Sequence, residues 1–139
     1  MTPRSTTFLV ILALVAAVVV GGYFLLPSGF SSDLDRIGQG RPAVVIVHDH
    51  NYVESVELME NLDAVRGPYE PEVDFLVADL NHPDGAAFAD RHEVSAVTLL
   101  VFDGQGERIG MRTGRARAPE LRAWLEQRFP DAVPDGPSA

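Results

Sequence analysis

The tripeptide His48-Asp49-His50 closes a short apolar run and gathers the most chemically capable side chains in the chain. Residues two apart on an extended strand share a face, so two imidazoles at this spacing can reach one ion. A transition metal would then need a third or fourth ligand, for which Glu54, His82 and His92 are the candidates. The H-x-H pattern is common by chance, and no second paired motif accompanies it. The plainer reading is a polar loop with solvated histidines, and His82 and His92 then lie at helix ends on the surface. Ser55 follows Asp49 and His50 closely and completes the residue types of a hydrolytic triad. Crowding in sequence rarely gives triad geometry, and neither an oxyanion loop nor a nucleophile elbow is present. Arg112, Arg115 and Arg117 surround Gly114 as a small basic cluster, read as balance for nearby carboxylates rather than as a docking site for an acidic partner. The 139 residues include no cysteine, so thiol–disulfide exchange has no nucleophile to act through.

The elements that must position these residues follow from periodicity. Ala43 to Val47 is a short continuous apolar run after Pro42, suited to a buried parallel strand. A helix is predicted from about Tyr52 to Arg66. Leu58, Leu62 and Val65 repeat at helical spacing, as do Val56 and Met59, while Glu54, Glu57, Glu60 and Asp63 take the wet side. Gly67-Pro68 is expected to stop it. Val73 to Ala78 reads as a second strand. Asp84 is expected to cap a short helix running through Arg91, with Ala87 and Phe88 inward. Thr98 to Phe102 and Arg108 to Thr113 flank the turn DGQG as an antiparallel hairpin. Ala118-Pro119-Glu120 opens a last helix, with the proline where its missing N–H does no harm. Leu121, Trp124, Leu125 and Phe129 give that helix a buried stripe, with Trp124 as a core anchor.

Phe8 to Leu26 is a stretch of nineteen uncharged residues, thirteen of them Leu, Ile, Val or Phe. As a helix it spans roughly 28 Å, close to the hydrocarbon thickness of a bilayer. Tyr23 suits the interface at its outer end. Arg4 and the amino terminus carry the positive charge before the span, which predicts a cytoplasmic N-terminus (1–7) and a periplasmic or otherwise extracytoplasmic remainder. The competing reading is a signal peptide cleaved after Gly22. Its apolar region usually runs about 7 to 15 residues, shorter than this one, so an uncleaved anchor is preferred. Residues 27–40, rich in Gly, Ser and Pro, read as a linker with at most one helical turn, 41–129 as one domain, and 130–139 as a disordered tail.

Formal net charge is −9, and all eleven basic residues are arginine. Without Arg4, ten arginines face twenty carboxylates, a balance of −10 on the remainder. Such a surface repels nucleic acid and anionic lipid alike, so membrane attachment must come from insertion. The acidity is read as a solubility feature.

The predicted order is strand, helix, strand, helix, strand, strand, helix. A strand–helix–strand unit pairs its strands in parallel through a right-handed crossover, and the terminal hairpin adds an antiparallel edge. This is an α/β fold with a mixed central sheet and helices on both faces. Together with the run VDFLVADLNHPDGAAFADRHEVSAVTLLVFDGQGE, and above all VSAVTLLVFDGQGER and the closing PELRAWLEQ, the order resembles the thioredoxin-like family over roughly Arg41 to Phe129.

That resemblance implies where the family's chemistry would sit. The family places a C-x-x-C pair at the front of the first long helix, where unpaired N–H groups and the helix dipole stabilise a thiolate. Laid on VVIVHDHNYVESVELM, the pattern puts Val53 and Val56 at the cysteine positions, with Glu54 and Ser55 between. Val47 falls where the family often keeps a buried proton-relaying carboxylate. Val97 falls at the family's cis-proline. A cis bond before a non-proline residue costs about 2.5 to 4 kcal/mol, so a trans bond is expected there. The expected function is therefore not enzymatic and needs no cofactor. It is a membrane-anchored, redox-inactive module that contacts an envelope protein or unfolded chain through Tyr52, Val53, Val56 and Val97, in assembly or as a chaperone. The alternative is a metal-binding domain using His48, Asp49 and His50.

Overall fold

The computed structural model describes residues 3–25 and 29–132. The first two residues, the junction 26–28 and most of the expected tail, 133–139, lie outside the described residues. Helix α1 (Pro3–Leu25) contains an 18-residue window, Ser5–Gly22, with mean hydropathy 2.3 and no buried residue, long and apolar enough to cross a membrane.

Four strands form one mixed sheet: β1 (Ala43–His48), β2 (Asp74–Asp79), β3 (Thr98–Phe102) and β4 (Arg108–Thr113), in the order β2-β1-β3-β4. β1 pairs in parallel with β2, Val45 opposite Leu76, and antiparallel with β3, Val45 opposite Leu100. β3 and β4 form the predicted hairpin, whose turn is closed by the Asp103 carboxylate accepting the Gln105 and Glu107 N–H groups at 3.0 and 2.9 Å. A bulge between Val101 and Phe102 skips Ile109 in the pairing. β1 is central and covered on both faces, which is why its sequence is apolar without alternation.

The two faces carry separate cores. Val44, Ile46, Leu99 and Val101 pack with helices α2 (Val53–Arg66) and α4 (Ala118–Arg128) through Leu58, Leu62, Val65, Leu121, Trp124 and Leu125. Val45, Val47, Leu76, Ala78, Leu100 and Phe102 pack against helix α3 (Pro83–His92) through Phe88 and Ala89. The α/β class, the element order and the helices on both faces agree with the sequence reading, and Trp124 is buried as expected.

Three local expectations differ. Gly67 keeps a right-handed helical conformation, so α2 tightens into a 3-10 turn (Gly67–Tyr69) instead of stopping at the glycine. α3 starts at Pro83 with His82 before it, and Asp84 lies inside the first turn rather than capping it, because the proline's fixed φ already begins the helix. Ala87 is exposed, and the inward stripe is Gly85, Phe88 and Ala89. A Cβ at Gly85 would collide with the Asp79 backbone, so only glycine lets α3 approach β2 this closely.

The segment expected to be a tether is laid against the domain over 29–42. Ser31 forms a parallel bridge with Leu76, and Leu34–Arg36 is a single 3-10 turn capped by the Asp33 side chain. Leu34 and Ile37 pack on the α3-side core and Phe30 on the other. Its glycine and serine content reads as flexible, but three apolar side chains find sites on the sheet faces.

Candidate functional site

β1 and β2 end side by side, with His48 opposite Asp79. After each strand the chain makes the same turn, Asp-x-Asn. The Asp49 carboxylate accepts the Asn51 N–H at 3.0 Å, and the Asp79 carboxylate accepts the Asn81 N–H at 2.9 Å. This is an Asx turn, in which a short carboxylate replaces a backbone acceptor two residues back. The Asn81 amide nitrogen joins the two turns, 3.3 Å from Asp49 Oδ1, 3.1 Å from Asp79 Oδ1 and 3.0 Å from His50 Nδ1. Asn51 donates in turn to Asn81 Oδ1 at 3.3 Å and to Asp49 Oδ1 at 2.8 Å.

Both carboxylates are held ionised. The Asn51 N–H lowers the Asp49 pKa, opposed by burial and supported by the Asn81 and Asn51 amides and by His50. Burial raises that of Asp79, but the Asn81 N–H and amide, with His82 and His48, outweigh it and leave it below the ordinary value. Asn51, Asp79 and Asn81 were not singled out from the sequence. The signal that finds them is the repeated Asp-x-Asn directly after two apolar runs.

The histidines do not converge. His48 Nδ1 lies 3.0 Å from Ser55 Oγ, while His50 Nδ1 turns to Asn81. β1 ends at His48, so strand alternation does not extend through Asp49 to His50. Glu54 pairs with Arg115 at 3.4 Å. His82 is exposed, 3.7 Å from Asp79. His92, expected on the surface, is half-buried with its ring 4.4 Å from Phe88 and 5.2 Å from Phe102. Among the described residues no three His, Cys, Asp or Glu side chains form a group that could hold a metal ion.

Ser55 is fully buried and accepts the Asp49 N–H at 3.0 Å. Its hydroxyl ties the first turn of α2 to the end of β1. Val53 and Tyr52 flank it on the outside, 66% and 56% exposed, and Val56 is 37% exposed one turn further on. Three large apolar side chains at the front of a helix stand open to solvent, whereas Leu58, Met59, Leu62 and Val65 further along α2 are buried or half-buried.

Val97 stands beside the exit of β1. Among the described residues no peptide bond is cis, and Val97 takes φ +62°. A β-branched residue in the left-handed region is an outlier costing on the order of 1 to 3 kcal/mol. Its N–H donates to Val47 O at 3.1 Å and its C=O accepts the Gly114 N–H at 2.9 Å, so both neighbours hold it there. The side chain is half-buried against the α2/α4-side core, so it contributes less open surface than Tyr52, Val53 and Val56.

Two of the three clustered arginines are paired with nearby carboxylates. Arg112 meets Glu120 at 3.5 Å, and Arg115 meets Glu54 and Glu57 at 3.4 and 3.7 Å. The Arg117 N–H donates to the Glu120 carboxylate at 3.0 Å, closing the start of α4.

No family model matches the chain, and no curated protein matches it. Solved structures do. An uncharacterised thioredoxin-like protein from Clostridium perfringens superposes with a TM-score of 0.60 at 17% identity, over 70% of this chain and 79% of that one. Oxidised thioredoxin O2 from Arabidopsis thaliana gives 0.56 at 20% identity, over 67% and 83%. A chain from a structure on thiol resolution in yeast mitochondrial 1-Cys peroxiredoxin gives 0.57 at 21% identity, over 74% and 93%. With the β2-β1-β3-β4 sheet and its helices on both faces, these likenesses show that the chain has the thioredoxin-like fold, built without a single cysteine.

Proposed function

We propose that this protein is a membrane-anchored, exported thioredoxin-like domain that binds another protein rather than catalysing thiol–disulfide exchange. The observation that carries the reading is the open apolar patch of Tyr52, Val53 and Val56 at the front of α2. The N-terminus stays cytoplasmic and the domain lies on the far side of the membrane, in the periplasm if the cell is bacterial, where it serves assembly or chaperoning in the envelope. The charge at Arg4 supports that orientation. A patch of aromatic and β-branched side chains is the ordinary physical basis for recognising a partner or an unfolded chain.

Capture of envelope proteins on the domain, compared with a Val53→Asp variant, tests this. Asp at the start of a helix is favourable, so the variant should fold while losing its partners. An unchanged set of captured proteins would rule out this surface. Equilibrium dialysis against zinc or copper is the companion measurement. Metal retained at neutral pH, and lost in His48→Ala and His50→Ala, would favour a metal carrier instead.

A further inference from the structure

The chain is fixed to the domain as soon as it is described again after α1. The Ser31 carbonyl accepts the Val77 N–H at 2.9 Å on the outer edge of β2. Phe30 lies under the guanidinium of Arg66, 4.4 Å from ring centre to Cζ. Arg66 is nearly buried and held by Asp63 at 2.7 Å and Glu70 at 2.9 Å. Further on, the Gly40 N–H donates to Gly104 O at 2.9 Å, so the segment is pinned at both ends.

Reach then decides where the domain can be. α1 ends at Leu25, and Gly29 already lines a groove on the domain. Four residues, even fully extended, cover about 14 Å. A free tether over 27–40 would instead allow the domain to wander about 50 Å. The groove at the attachment point is about 350 Å³, apolar within, and lined by Gly29, Phe30, Met59, Glu60, Asp63 and Val77.

We propose that segment 29–40 is a strut that holds the β2 edge of the domain against the lipid surface, with the Phe30–Met59–Val77 groove facing the headgroup layer. This rests on the reading of α1 as a membrane span. Glu60 and Asp63 on the rim repel anionic headgroups, so the surface it fits is zwitterionic. The height is set by covalent reach, not by charge attraction.

The absence of cysteine makes a single introduced thiol a unique label. The full chain carrying Met59→Cys or Met111→Cys is labelled with a fluorophore and placed in phosphatidylcholine nanodiscs containing lipids with a quencher near the headgroup. Met111 is exposed on β4, the opposite edge of the sheet, three strand spacings or about 14 Å from β2. The expected result is severalfold stronger quenching at position 59 than at 111. Insertion of about ten Gly-Ser residues between Leu26 and Gly29 should abolish that difference while leaving the docked segment intact. Equal quenching at both positions in the unmodified chain, with the protein retained on the nanodisc, overturns the strut and leaves the anchor standing. Failure to co-purify with nanodiscs removes both.

Discussion

The amide of Val97 donates to the carbonyl oxygen of Val47 across 3.1 Å, tying the residue before β3 to the last buried residue of β1. The bond exists because residue 97 is not proline, which has no N–H to give. It also places the loop before β3 directly against the exit of β1, the strand that leads to exposed Val53 of α2.

Val97→Pro is expected to destabilise the domain by about 3 kcal/mol or more, since it removes that N–H and demands φ near −65° where the backbone stands at +62°. Val97→Gly should stay within about 1 kcal/mol of the parent, because relief of the left-handed strain offsets the lost side chain. Urea denaturation of both variants measures this. A Val97→Pro midpoint equal to the parent's would show that the loop is not held as described.

Ser55→Ala should cost about 1 kcal/mol, because it leaves the half-buried Asp49 N–H without its acceptor and removes the contact to His48. Amide hydrogen exchange at Asp49 should speed up in the variant. Unchanged exchange there would mean that Ser55 does not tie α2 to β1.

Gly85→Ala places a methyl group against the Asp79 backbone and forces α3 off the sheet. The expected loss is about 1 to 3 kcal/mol, as for other overpacked interiors. Thermal unfolding reads it directly. A stabilised variant, the usual result of Gly→Ala in a helix, would contradict the close approach of α3 to β2.

His92 titrates below its ordinary value, chiefly because burial against Phe88 and Phe102 disfavours the charged ring, with Arg108 and Arg91 adding repulsion. The unfolded chain therefore binds the proton first as pH falls. Stability contributed by the neutral ring is complete above about pH 6.5 and declines as pH drops from there to the lowered folded value. Histidine NMR titration should place the His92 midpoint below the ordinary histidine value. Replacing His92 by Gln should remove this part of the acid sensitivity. A His92 midpoint above the ordinary range would refute its burial.

The candidate site was partly legible in the residues. The resemblance to the family names Val53 and Val97 as positions of interest, and the structure finds Val53 open at the front of α2 and Val97 half-buried in a left-handed conformation. The polar network was not legible, because Asn81 joins turns thirty residues apart, and only parallel pairing of β1 with β2 brings them together. His92 stands at the helix end expected of it, and its partial burial there has a related cause. Its neighbour Phe88 is visible at helical spacing, but Phe102 comes from a strand on the other side of a loop.

The sequence by itself determined the element order, the apolar N-terminal helix, the burial of β1 and the lack of any thiol. These depend on residue type and local period, which act within a few residues. The tertiary structure decided that segment 29–42 docks instead of swinging free, that His48 and His50 part company, and that Val97 is held in a left-handed conformation. Each of those outcomes is set by partners distant in the chain, whose hydrogen bonds and apolar contacts override what the local residues favour alone.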